Sequence, residues 1–285
     1  MLKNKEKKVL LIEALKYIQR FREKIVVIKY GGAAMIQEDL KISFAEDIIL
    51  LQSLGMLPVI VHGGGPEVSF AMERLGQKVS FIDGLRVTSA ENLKVAEMVL
   101  SGMLNKEIIS HLNNFGGKAV GVSGKDGGLI TARKKLHARG LDLGYVGEID
   151  SVEPNLLKIL LKENYLPVIS PIGLGKDGKT YNINADTVAA TIAVALRAHK
   201  IIFMTDVNGI IVDDVLQRSL TPEDIREMIQ SEIIYGGMLP KAEATLHCVD
   251  GGVRSAHIIN GTDPHSVIAE LFTDKGTGSS IRNRT

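Results

Sequence analysis

Ile25-Val26-Val27-Ile28-Lys29-Tyr30-Gly31-Gly32 is the stretch on which the fold turns. Four consecutive β-branched residues without polar alternation suit a strand covered on both faces, as in a parallel sheet. The strand runs into a lysine and then into paired glycines. There, backbone N–H groups can converge on an anion because no Cβ blocks the approach. The arrangement returns at Val59-Ile60-Val61-His62-Gly63-Gly64-Gly65. Short apolar runs at 119–122, 168–169, 201–204, 210–212 and 257–259 read as further strands. Between them, Leu40, Phe44, Ile48 and Leu51 recur at helical spacing, with Gly55 as a stop; Val68, Met72 and Leu75 repeat it behind Pro66, which a first turn tolerates. Thr88 to Glu91 reads as a capping box opening a long helix to about Leu112, and Thr221-Pro222-Glu223-Asp224 as another helix start. Residues 173–179 read as a loop near a lobe boundary. This alternation predicts an α/β chain: a mainly parallel sheet with helices on both faces, its ligands held where strands end.

Composition narrows the function. The chain has 285 residues, about two lobes at about 150 residues each. With 34 Lys plus Arg against 33 Asp plus Glu, the net charge of +1 offers no basic field for nucleic acid. Hydrophobic residues at 45% and charged residues at 24% exclude disorder. One cysteine excludes a disulfide framework and a Cys-rich metal site. No apolar run approaches the ~20 residues that cross a bilayer, and Val9 to Ile12 is too short for a signal-peptide core. A cytoplasmic protein is expected, or one of a plastid stroma if encoded there. Glycine numbers 29 of 285, above the usual ~7%, and much of it is paired.

The glycine loops match neither G-x-x-x-x-G-K-[ST] nor G-x-G-x-x-G, so neither an ordinary P-loop enzyme nor a Rossmann dehydrogenase is expected. A lone lysine is ordinarily a solvated surface cation. Lys29 and Lys241 differ in that each abuts paired glycines, at a strand end or ahead of a helix opened by Pro240, the geometry that binds phosphate. Asn182-Ile183-Asn184-Ala185-Asp186 opens an apolar helix; an N-cap explains one of its three polar residues, not all. Two lysines flanking a transferring group, with an aspartate between them, meet the need of phosphoryl transfer for positioning and positive charge. His62 at a strand end reads as a backbone partner rather than a base, and Cys248 as core. Ahead of the first strand, Leu11, Leu15 and Ile18 form one helical stripe and Leu10, Ala14, Tyr17 and Phe21 a second. Two stripes point either to two partners, one of them another subunit, or to deep burial in the same domain.

In order along the chain stand Lys29-Tyr30-Gly31-Gly32, His62-Gly63-Gly64-Gly65-Pro66, Gly84-Leu85-Arg86-Val87-Thr88, Tyr181 to Asp186, Thr205-Asp206-Val207-Asn208-Gly209-Ile210 and Gly236-Gly237-Met238-Leu239-Pro240-Lys241. Taken together they resemble the acetylglutamate kinases of the amino-acid kinase family, essentially end to end. The resemblance implies a three-layer αβα sandwich around an eight-stranded sheet. It implies an N-terminal helix (1–23) for oligomerisation and arginine regulation, an N-terminal lobe (24–198) binding N-acetyl-L-glutamate, and a C-terminal lobe (199–285) binding ATP with Mg2+.

Carried over residue by residue, Lys29 and Lys241 would stabilise the transferring phosphoryl and Asp186 would orient both. Gly32, Gly64 and Gly65 would donate N–H groups, Arg86 would pair with the α-carboxylate, and Asn182 would hold the acetylamino acid with Asn184 nearby. Thr205, Asp206, Val207, Asn208, Gly209, Ile210, Ile211, Gly236 and Met238 would line the nucleotide. No protein-held metal is expected. A carboxylate acceptor, with a pKa near ~4.3, needs no general base, and none stands out.

The N-terminal helix and the segment from His265 to Gly278 also resemble the arginine-inhibited branch, a hexameric trimer of dimers. That implies L-arginine as an inhibitor bound by Tyr17, His265, Glu270 and Gly276. Ala33, where many members carry Asn, resembles photosynthetic lineages, in which a PII-type signalling protein also binds; no residue here derives that contact. Ser279 replaces a common Thr. A sibling kinase of the same fold and a non-catalytic arginine sensor are the alternatives.

Overall fold

A computed structural model describes residues 15–273 and 276–284. Eight strands form one sheet: β1 (Ile25–Tyr30), β2 (Leu57–His62), β3 (Ala119–Ser123), β4 (Leu166–Ser170), β5 (Lys200–Thr205), β6 (Ser219–Leu220), β7 (Ser255–Asn260) and β8 (Ser279–Ile281). Their order is β6-β8-β7-β5-β1-β2-β4-β3. Six strands run parallel; β8 is antiparallel to β7, and β6 follows β8 at that edge. β1 lies between β2 and β5, with Val27 opposite both Val59 and Ile201. The chain leaves β1 toward one side of the sheet and later returns to its other side. The carboxyl end of β1 is therefore a topological switch point, where open α/β sheets hold their ligands.

Alternate β1 side chains enter opposite cores, as a pleated strand requires. Val26 and Ile28 pack beneath α1 (residues 15–21), α2 (Glu38–Ser53), α3 (Gly65–Arg74), α4 (Ala90–Glu97) and α5 (Asn105–Asn114). Val27 packs beneath α6 (Asn155–Lys162), α7 (Ala185–Ala195), α8 (Pro222–Gln230) and α9 (Leu239–Asp250). α10 (Ser266–Leu271) returns to the first face. The three-layer αβα sandwich is thus as expected. No helix of the described residues is long and apolar enough to cross a membrane.

Several local expectations are corrected. The cap of α4 is Ser89, whose Oγ accepts from Asn92 N; Thr88 is buried and donates its hydroxyl to the Arg86 carbonyl. The long helix runs on to Asn114 through a π-helical turn, Met98–Leu104. Leu75, third in the α3 stripe, is 60% exposed at the helix end. The loop expected over 173–179 is shorter: 173–175 end a strand and only 176–179 turn. Ile172–Gly175 and Thr180–Ile183 pair as a hairpin and close a small barrel with Ile130–Lys134 and Val146–Val152. Gly173 and Gly175 are there for space, since a Cβ on Gly173 would lie 2.8 Å from Ile183 Cδ1, whereas Gly178 supplies the left-handed φ of 76° in the hairpin turn. Ile211–Val212 belongs to a two-stranded hairpin outside the main sheet.

Leu10, Leu11 and Ala14 of the predicted stripes lie outside the described residues. Within α1, Phe21 is buried and its ring packs with those of Tyr17 and Phe272, whereas Leu15 faces outward, 52% exposed. One stripe therefore serves the chain's own core.

Candidate active site

Lys29 leaves the end of β1 at the switch point. Asp186 occupies the first turn of α7, where Asn184 caps the helix by accepting from Thr187 N at 3.0 Å. Pro240 sits in the first turn of α9, and α9 packs along α7, which carries Lys241 to the same spot. The ammonium of Lys29 lies 3.3 Å from Asp186 Oδ1 and that of Lys241 lies 3.1 Å from Oδ2. Burial alone would raise the Asp186 carboxyl, but the two ammonium groups outweigh it and hold it below the usual range. Two positive charges share one negative charge, so the cluster carries a net positive charge at the mouth of a cavity.

That cavity, about 300 Å³, is lined by Lys29, Gly31, Gly32, Gly63, Gly64, Gly65, Arg86, Asn182, Asn184 and Asp186. The glycines are needed for approach. Gly64 has φ 142°, and a Cβ there would lie 2.3 Å from Leu104 Cδ1. A Cβ on Gly31 would lie 2.5 Å from the Lys29 ammonium nitrogen. Arg86 is fixed by donating to the Gly65 carbonyl (2.7 Å) and Ser69 Oγ (2.8 Å), with the Phe81 ring 4.8 Å from its guanidinium carbon. His62 is fully buried between the Gly63 carbonyl and Asn105, and burial pushes its pKa down to about 4. It is a neutral structural histidine.

The residues expected at the nucleotide do not line this cavity. Thr205 ends β5, and Asp206 Oδ1 accepts from Ala33 N at 2.7 Å. Asn208 accepts from Asn260, and Ile210 is buried with its N–H given to Ser279 Oγ. Val207 and Ile211 are exposed, a Cβ on Gly209 would meet Ser279 Oγ at 2.5 Å, and Gly236 and Met238 form the short turn that opens α9. Among the described residues, no group of three or more His, Cys, Asp or Glu side chains could hold a metal ion.

A second cavity of about 370 Å³ lies between α1 and the C-terminal segment. Tyr17, Glu270 and Gly276 line it, as expected together; His265 does not. The His265 ring is turned to Asp47 Oδ1 (2.8 Å) and its N–H to Ser43 Oγ (2.7 Å), pinning the start of α10 to α2 from a left-handed backbone, φ 57°. Residues that no motif announced stand in its place: Lys200 and His257 on adjacent strands, with Arg20, Arg218, Arg254 and Arg282 around them. Glu270 accepts from His257 Nδ1 (2.5 Å), Thr277 N (2.6 Å) and Gly278 N (3.1 Å). Nε2 of His257 faces the Lys200 ammonium at 3.1 Å, and burial pushes the Lys200 pKa down to about 8.

Residues 24–260 match the amino acid kinase family. The chain is similar to the acetylglutamate kinase of Methanocaldococcus jannaschii, 51% identical over 97% of this chain and 96% of that one. It is also similar to that of Leptospira biflexa, 50% identical over 95% and 96%. Among solved structures, N-acetylglutamate synthase from Neisseria gonorrhoeae complexed with coenzyme A and N-acetyl-glutamate superposes with a TM-score of 0.87 at 27% identity. This chain spans 63% of that protein's length, with 97% of its own residues covered. Carbamate kinase from Giardia lamblia, 16% identical with a TM-score of 0.69, shares the fold. The chain belongs to the amino acid kinase family and groups with its acetylglutamate kinases.

Proposed function

We propose that this chain transfers the γ-phosphoryl group of MgATP to the γ-carboxylate of N-acetyl-L-glutamate, a step of arginine biosynthesis in the cytoplasm. The observation that carries the reading is the Lys29–Asp186–Lys241 cluster at the rim of a glycine-lined cavity. A carboxylate oxygen attacks the γ-phosphorus, the bond to the ADP oxygen breaks, and the electron pair leaves with ADP. No proton has to move, which agrees with His62 being buried and neutral. Lys29 and Lys241 stabilise the negative charge on the migrating group, while Asp186 keeps the two ammonium groups converged. Magnesium carried by the nucleotide would supply further positive charge at the phosphates.

On this reading Arg86 pairs with the acceptor's α-carboxylate, its guanidinium already aimed by Gly65, Ser69 and Phe81. Asn182 and Asn184 face the acetylamino group, and Gly32, Gly64 and Gly65 donate N–H groups. The nucleotide lies beyond, across Thr205, Val207 to Ile211 and the Gly236–Met238 turn, so the acceptor falls to residues 24–198 and ATP to 199–285. Purified protein with MgATP and acetylglutamate should form an acyl phosphate that hydroxylamine traps. Equal turnover of glutamate, aspartate or UMP would refute the assignment.

Feedback by L-arginine is part of the proposal. The second cavity offers one carboxylate, Glu270, to a guanidinium and several cations to an α-carboxylate, which matches arginine end for end. Tyr17, Glu270 and Gly276 are the proposed arginine contacts, joined by Lys200 and without His265. The outward-facing Leu15 supports a further role of α1 in a hexamer; sizing with and without residues 1–20 tests it.

A further inference from the structure

The paired glycines after β1 each clear space for one charged head. A Cβ on Gly31 would collide with the Lys29 ammonium; a Cβ on Gly32 would lie 2.2 Å from Asp206 Oδ1 and 3.0 Å from its Cγ. The chain passes from an extended Gly31 to a left-handed Gly32, φ 73°, and then into the short turn Gly32–Met35. Asp206 stands at the end of β5, the strand paired with β1, and takes the Ala33 N–H at 2.7 Å. Gly31 and Gly32 line the cavity; Asp206 does not.

We propose that Asp206 is a positioning residue, a tether from β5 that holds the Gly32–Ala33 backbone so that the glycine N–H groups meet the phosphoryl in transit. The inference rests on the phosphotransfer reading above and goes beyond the nucleotide contact expected of this residue. A carboxylate at that place can only accept a hydrogen bond. By occupying the Ala33 N–H it leaves the donors of the preceding glycines to the cavity. Residue 206 moves with β5 and the glycine turn with β1, so the bond sets the relative placement of two strand ends. Misplacement of the order of 1 Å at such a centre costs up to about 10²-fold in rate.

The test compares Asp206→Ala with Asp206→Asn, because the amide oxygen of asparagine can accept the same N–H. Measured are kcat, KM for acetylglutamate, KM for MgATP, and amide exchange at Ala33 in the unliganded protein. The tether predicts a kcat loss of about tenfold or more in Asp206→Ala, with both KM values nearly unmoved and faster exchange at Ala33. Asparagine should recover most of both losses. Asparagine as poor as alanine, together with a raised KM for MgATP, would assign the carboxylate to the nucleotide or its metal and overturn the tether. Unchanged exchange at Ala33 in the alanine variant would overturn it too. If the parent protein does not phosphorylate acetylglutamate at all, the phosphotransfer reading fails, and the exchange measurement still decides whether the bond holds the turn.

Discussion

Asp186 and Glu270 are both buried carboxylates, 4% and 6% exposed, and each stands near a lysine. Their hydrogen bonds set them apart. Among the described residues Asp186 pairs with two ammonium groups, so its site holds surplus positive charge with room beside it for an anion. Glu270 is held in place by His257 and two backbone N–H groups of the C-terminal segment, and the arginines gather around it without an ion pair to it. A carboxylate held only by side-chain cations suits chemistry, because those cations can also face an anion beside it. A carboxylate held by the backbone suits a binding wall, because its position depends on how the segment around it is folded.

The largest expected effect strikes the first cluster. Asp186→Ala leaves the buried Lys29 and the partly buried Lys241 ammonium groups uncompensated. Breaking a buried ion pair costs about 3–5 kcal/mol of stability, and kcat should fall by at least about 10³-fold as the lysines part. Chemical denaturation and steady-state kinetics check both. Next comes Arg86→Lys, which keeps the charge and loses the planar fork. Charge-assisted hydrogen bonds worth about 1.5–3 kcal/mol translate into a rise of about 10- to 100-fold in KM for acetylglutamate, with KM for MgATP unaffected.

The second cluster should respond in regulation instead. Glu270→Gln should raise the arginine concentration for half-inhibition by about tenfold or more while kcat stays near the parent value. His265→Ala should leave arginine inhibition in place, because that ring binds Asp47; loss of inhibition in this variant would return His265 to the site.

The smallest effect is in pH, and it separates the clusters at opposite ends of the scale. The Asp186 pKa is depressed in the folded state, so the stability it contributes is present above the unfolded value near ~3.9 and is lost as pH falls below it. The Lys200 pKa is also depressed, to about 8, but for a cation the sign reverses. The penalty of burying its charge is fully present below pH 8 and is relieved as pH climbs toward the unfolded value near ~10.4. Lys200→Met should therefore raise Tm at pH 7 and lose that advantage near pH 10. A constant gain across the range would show that Lys200 does not titrate there.

The cluster at Asp186 was legible in the amino-acid sequence because each member adjoins a local signal: a buried strand before paired glycines, an amide-rich cap, a proline-opened helix. The second site was only half legible. Lys200 and His257 are 57 residues apart and meet because β5 and β7 are neighbours in register, with Lys200 opposite Ser255; nothing local to either announces the contact. His265 was misleading for the converse reason. It lies close in sequence to Glu270, but its left-handed backbone turns the ring to α2. Thr88 and Ser89 are adjacent hydroxyls; Ser89 caps the helix by accepting from Asn92 N, while Thr88 is turned to the Arg86 carbonyl.

The most direct test of the central claim is a double-mutant cycle on turnover with Lys29→Ala, Lys241→Ala and both together. If the two ammonium groups act as a unit on one migrating phosphoryl, each single change should cost about 10²- to 10³-fold in kcat, and the double change far less than the product of the two. Parental turnover in either single variant, or losses that simply multiply, would contradict it.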